Sequence, residues 1–153
     1  MRRNARWVVL LAGAGAVLGT AVAQNNNAAA QARAAAASPA PNFALDLCVR
    51  KVTAAELVGL DFSCLRKVLV GSEPTHEATL RHFFEMLAPY GLHPNAISQG
   101  YGMAEGVLVS TGAVPDTPFR CVHFDAAGLQ QGLAVPAPEG SRSVRTLVSC
   151  GVP

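Results

Sequence analysis

LRKVLVGSEPTHEATLRHFFEMLAPYGLHPNAISQGYG, residues 65–102, is the stretch whose reading decides the fold. Val68-Leu69-Val70 is a continuous apolar run suited to burial on both faces, so Leu65 to Val70 is expected to form a strand. Gly71 stops it, and Pro74 stands where a helix can begin without needing its N–H. From Thr75 to Ala88 the period changes. Leu80, Phe83, Phe84 and Leu87 recur at i, i+3, i+4 and i+7 and share one helical face, with Thr79, Arg81 and Glu85 off it. Pro89 and Gly91 close the helix, and a second strand is expected over Ala96 to Gln99, followed by Gly100-Tyr101-Gly102. Strand, helix and strand of these lengths form the unit of a parallel α/β sheet.

Two loops therefore fall at the carboxyl ends of neighbouring strands, Gly71-Ser72-Glu73-Pro74 and Gly100-Tyr101-Gly102-Met103-Ala104-Glu105. In open α/β sheets that edge is where ligands bind. Glycines at 71, 100 and 102 let backbone approach a flat ligand, because no Cβ intervenes. A tyrosine between glycines suits stacking on a base, and a glutamate four residues on offers a hard oxygen to Mg²⁺.

Outward from this unit the signals thin. Thr53-Ala54-Ala55-Glu56 has the form of a capping box opening a short helix that Gly59 ends. Val107-Leu108-Val109 is apolar again. Thr111 to Ser141 is broken by prolines at 115, 118, 136 and 138. Arg120 to Phe124 suits a strand, Asp125 caps a short helical turn, and Val144 to Val148 suits a last strand. No internal repeat is visible.

The first 40 residues are of another kind. Met1 to Arg6 is basic, Trp7 to Ala23 is uncharged, and Ala21-Val22-Ala23 resembles a signal-peptidase site, so 1–23 reads as an export-like targeting segment. At 17 residues, with three glycines, the apolar stretch is short for a membrane span. Residues 24–40, with Asn25-Asn26-Asn27 and eight alanines between Ala28 and Ala37, read as a linker. The chain is 50% hydrophobic and 14% charged, which excludes a disordered polyelectrolyte. From Pro41 onward eight basic residues face ten acidic ones, a net −2 that offers nucleic acid no footprint.

Cys48, Cys64, Cys121 and Cys150 include no Cys-x-x-Cys pair, so zinc is not expected, and four small buried hydrophobes are the preferred reading. His76, His82, His93 and His123 form no i, i+4 pair and read as surface or packing residues. Ser72 lacks the glycine pattern of a nucleophile elbow.

Tyr101-Gly102-Met103-Ala104-Glu105 resembles the Tyr-Gly-x-Thr/Ala-Glu motif of the adenylate-forming superfamily, and Gly71-Ser72-Glu73-Pro74 resembles the Gly-small-Glu-Pro segment that precedes it there. The wording of Pro41-Asn42-Phe43-Ala44-Leu45-Asp46-Leu47-Cys48, of Ala88-Pro89-Tyr90-Gly91-Leu92 and of Leu147 to Pro153 is similar to the fatty-acyl-AMP ligase branch. The likeness runs from 41 to 153. It implies part of the parallel-sheet large N-terminal domain of an adenylate-forming enzyme, using ATP and Mg²⁺ to convert a fatty acid to its acyl-adenylate for an acyl-carrier protein or polyketide synthase.

By that resemblance Gly71, Ser72, Glu73 and Pro74 would line the adenine, Gly100 and Gly102 would flank Tyr101 as it stacks, Met103 and Ala104 would continue the motif, and Glu105 would hold the metal. Ala104 departs from the usual threonine. The 43 residues between Glu105 and Ser149 look like the insertion that marks this branch. The phosphate loop is expected upstream of Asn42, and the ribose-binding aspartate and catalytic lysine after Pro153, so the chain is expected to be inactive alone. An export-like leader conflicts with a cytosolic ATP-dependent reaction and reads as irrelevant or misassigned. The alternatives are a small secreted binding module held by disulfides, or a gene-model artefact.

Overall fold

A computed structural model describes residues 37–106 and 109–152; the targeting-type segment 1–23, most of the linker and Val107-Leu108 lie outside them. The helix expected from its apolar stripe is α3, Glu77–Leu87, with Leu80, Phe83 and Leu87 buried and Phe84 packed against the same core. It starts two residues later than Thr75 because His76 remains extended at its N-cap. A 3₁₀ turn, Ala88–Tyr90, follows, and Gly91 closes it at φ +94°, a left-handed backbone that suits glycine. Glu77 and Arg81 form an exposed i, i+4 pair on the outer face.

Four strands make one sheet in the order β1-β2-β3-β4: β1 Ala37–Ala40, β2 Lys67–Val70, β3 Ile97–Tyr101 and β4 Thr111–Gly112. The first three are parallel, with Ser38, Val68 and Ile97 in register, while β4 runs antiparallel to β3. Between β1 and β2 come α1, Asn42–Lys51, and α2, Ala54–Leu57. α1 lies against α3. One cluster joins Leu45, Cys48, Leu80, Phe83 and Leu87 of these helices to Val68, Val70 and Ile97 of the strands. The helices thus bury one face of the sheet. Burial pushes the Cys48 thiol up to about 11, keeping it neutral in the core.

Several expectations need correction. The linker does not extend to residue 40, since Ala37–Ala40 forms β1. The VLV run is not buried on both faces. Val68 and Val70 are fully buried but Leu69, on the opposite face of the strand, is 36% exposed. Gly100 and Tyr101 belong to β3 rather than to a loop after it, since β4 pairs with them. Of the four cysteines, all unpaired, only Cys48 is buried, and Cys150 is exposed.

The Thr53 capping box forms on its carboxylate side: Glu56 Oε2 accepts from the Thr53 N–H at 3.0 Å and from its hydroxyl at 2.9 Å. These two bonds hold the Glu56 carboxyl below its ordinary value. Farther on, β5 Cys121–Asp125 and β6 Val144–Val148 pair antiparallel through five residue pairs, joined by α4, Ala126–Gln130. Asp125 caps α4 as its sequence suggests, with Oδ1 accepting the Gly128 N–H at 2.7 Å. No helix among the described residues is long and apolar enough to cross a membrane.

Candidate functional site

The parallel register brings the two glycine loops to one edge. Val70 pairs with Gln99, so Gly71 and Gly100 are the next residues along adjacent strands. Their backbones approach so closely that a Cβ built on Gly71 would stand 2.8 Å from the Gly100 carbonyl oxygen. Only glycine fits at 71 without moving backbone. A Cβ on Gly100 would meet the Thr111 carbonyl oxygen at 3.3 Å and Leu69 Cδ1 at 3.5 Å, a tight but less forbidding fit.

Tyr101 is held from its other side. The Ser110 N–H donates to the Tyr101 carbonyl at 2.9 Å, and the Ala113 N–H donates to the Gln99 carbonyl at 2.9 Å. β4 is in turn bridged by Val152, whose N–H and carbonyl exchange 3.0 Å bonds with Gly112. With its backbone fixed on the β4 side, the tyrosine still presents its ring, half of the residue being exposed. Below it Gln99 is 1% exposed, and neither atom of its side-chain amide has a hydrogen-bond partner among the described residues.

The remaining candidates differ in their engagement. Gly102, Met103 and Ala104 are exposed, and Glu105 sits exposed in a 3₁₀ turn, Ala104–Gly106. On the facing loop Ser72 has φ +68°, a left-handed conformation that few non-glycine residues adopt. Pro74 is exposed beyond it. The Glu73 carboxylate is directed toward helix α1, where Oε1 accepts the Phe43 N–H at 2.5 Å.

Neither loop contains a lysine or arginine; from Val68 to Leu80 and from Gly100 to Phe119 the charges are carboxylates only, apart from His76. The edge can therefore take a flat ring and a cation, but it brings no fixed positive charge of its own to an anion. Among the described residues no group of three His, Cys, Asp or Glu side chains converges as a metal cage. A single exposed carboxylate at Glu105 fits a magnesium ion that brings most of its oxygens with it, as one bound to phosphates does.

All four histidines are exposed, and two have local partners: His93 Nδ1 accepts the Asn95 N–H at 3.2 Å, and His123 Nδ1 pairs with Thr146 Oγ1 at 2.9 Å. Two contributors to the edge escaped the sequence reading. Asn42 reaches the second half of the 71–76 turn, and Thr111 pairs with Tyr101. An asparagine at a helix start was the sole signal for the first, and the two-residue β4 leaves none.

No family model matches the chain. Over all 153 residues it is 35% identical to long-chain-fatty-acid–AMP ligase FadD26 of Mycobacterium marinum, and 35% identical to 4-hydroxyphenylalkanoate adenylyltransferase of Mycobacterium tuberculosis. It spans 23% and 22% of the lengths of these two relatives. Among solved structures, 78% of the chain superposes on fatty acyl-adenylate ligase of L. pneumophila in complex with acyl adenylate and pyrophosphate. That match has a TM-score of 0.71 and 30% identity, and covers 21% of the solved chain.

Proposed function

We infer function from kinship: the chain corresponds to a segment of a fatty-acyl-AMP ligase, a branch of the adenylate-forming superfamily, and its part in such an enzyme is one wall of the ATP site. The observation that carries this reading is the shared edge. Gly71 lies so near Gly100 that any side chain would strike its carbonyl, and beside them Tyr101 offers an exposed ring on a strand paired on both sides. The glycines keep side chains out of the plane where an adenine lies, the tyrosine stacks on it, and Glu105 holds Mg²⁺ beside the phosphates.

In the parent enzyme the reaction is carboxylate plus ATP giving acyl-adenylate and pyrophosphate, with a fatty acid as the carboxylate. ATP would supply the electrophilic phosphorus, and a magnesium ion held with the help of Glu105 would offset the charge of its phosphates. What these residues add is orientation, and orientation of two reactants is a large share of the barrier in such a step. The positive charge that a pentacoordinate phosphorus requires has to come from outside the two loops, which carry none. The chain alone therefore binds nucleotide without turning it over. Delivery of the product to an acyl-carrier protein or polyketide synthase, and a cytoplasmic setting, follow from the parent family.

Titration of the whole chain with a fluorescent AMP analogue tests the wall. Tyr101→Ala is expected to weaken binding about tenfold or more, since base stacking is worth roughly 1–3 kcal/mol, while Tyr101→Phe keeps the ring and the affinity. Equal affinities for the wild type and Tyr101→Ala would remove the tyrosine from the site. Pyrophosphate release with ATP and a long-chain fatty acid should stay at background.

A further inference from the structure

Between the 71–76 turn and the start of α1, hydrogen bonds run in both directions. The Phe43 N–H donates to Glu73 Oε1 at 2.5 Å, and the His76 N–H donates to Asn42 Oδ1 at 3.0 Å. Each segment gives the other a side-chain acceptor and takes one in return. The Phe43 N–H belongs to the first turn of α1, where no intrahelical partner exists. Asn42 is 7% exposed, so its amide is committed to this junction rather than to water.

On either side of the Glu73 anchor the turn holds conformations the chain does not favour by itself. Ser72, directly before Glu73, is left-handed at φ +68°. Pro74, directly after it, has a fixed φ and no N–H to donate. A turn of this kind persists only where its surroundings over-determine it, and here its middle and its last residue are both tied to one helix terminus.

We propose that Asn42 and Glu73 are positioning residues that clasp the Gly71–His76 turn onto α1 and so hold Gly71 and Ser72 against the edge that Tyr101 faces. This rests on the reading of that edge as a nucleotide wall. Glu73 acts through the turn, by its bond to Phe43, and Asn42 contributes to the site without belonging to either loop. The junction makes the start of α1, a segment with no glycine and no motif chemistry, part of the site's support.

The test uses the whole 153-residue chain. Asn42→Ala and Glu73→Ala remove the acceptors; Asn42→Asp and Glu73→Gln retain an oxygen in the same place. Amide exchange read by NMR should speed up about tenfold at His76 in Asn42→Ala and at Phe43 in Glu73→Ala, as expected for loss of one hydrogen bond. Affinity for a fluorescent AMP analogue should fall about tenfold in both. The oxygen-retaining variants should recover exchange and affinity at a melting temperature matched to the alanine variants, which a purely structural role would not produce. Unchanged exchange at both amides, or affinity that only tracks melting temperature, overturns the clasp. A wild-type chain that binds no AMP analogue would sink the nucleotide wall instead. The clasp then stands or falls on exchange at Phe43 and His76 alone.

Discussion

Between Ala37 and Gln99 the chain buries Phe83, Leu45, Leu65, Leu80, Ile97 and the two valines of β2; between Gly100 and Val152 no described residue is buried. The first region is ordered by apolar packing of two helices on a parallel sheet. The second is ordered mainly by backbone pairing, chiefly the five-pair ladder of β5 and β6, with Phe119 and Val148 half-buried against the core and Val122, Leu133, Val135, Val144 and Leu147 left in solvent. A lone two-stranded ladder is marginal in water, so the two regions are expected to differ in local stability as well as in construction. The candidate site lies at their boundary: Gly71 belongs to the packed region, and Tyr101 to Glu105 open the unpacked one. A ligand gripped there would have a rigid side and a compliant side.

The strongest challenge to this contrast is truncation of one side chain in each region. Phe83→Ala is expected to cost about 3–5 kcal/mol, a large part of the total stability of a small domain, and Leu147→Ala about 1 kcal/mol or less. Chemical denaturation followed by circular dichroism reads both. Comparable losses would mean that the exposed face of the hairpin carries as much packing energy as the core.

A smaller effect is expected at the boundary itself. Gly71→Ala places a methyl where the Gly100 carbonyl oxygen lies 2.8 Å away, so β2 and β3 must part at their ends. The expected cost is about 1–3 kcal/mol, as for other overpacked sites. AMP-analogue affinity should fall about tenfold or more. The smallest effect is electrostatic and confined to the first region's rim. The Glu56 carboxyl lies below its ordinary value of 4.5 through its bonds to Thr53, so it stabilises the fold above about pH 4.5, and that stabilisation disappears as the pH falls through the lowered value. Melting curves should place Glu56→Gln below the wild type at pH 6, with the gap narrowing as the pH is lowered past 4.5. A gap that persists in acid would assign the difference to packing.

Legibility in the sequence follows the same division. The β2–α3–β3 unit could be read because packing leaves a period in the residues: Leu80, Phe83 and Leu87 recur at helical spacing, and glycine marks both strand exits. Ala37-Ser38-Pro39-Ala40 carries no such mark, having neither β-branched nor aromatic residues. As the outermost strand of the described sheet, β1 also tolerates a proline that an interior strand would not. Leu69 misled for another reason. An apolar run states what a strand could bury, while exposure depends on which elements lie over it.

The glycines and Tyr101 were legible as residue types that suit a ligand edge. Their contact across the strands was not, since it depends on register. The Asn42–His76 bond joins positions 34 apart and leaves no trace in local spacing.

Because the last buried residue among those described is Gln99, the fully buried part of the apolar core has been translated before the hairpin exists, and Phe119 and Val148 add only partly buried contacts to it. At roughly 5–20 residues per second, the helices and parallel strands have seconds on the ribosome to settle before Cys121 to Val148 emerges. The edge that Tyr101 completes would then be laid onto a platform already in place, which gives the order of synthesis a direct hand in assembling the site.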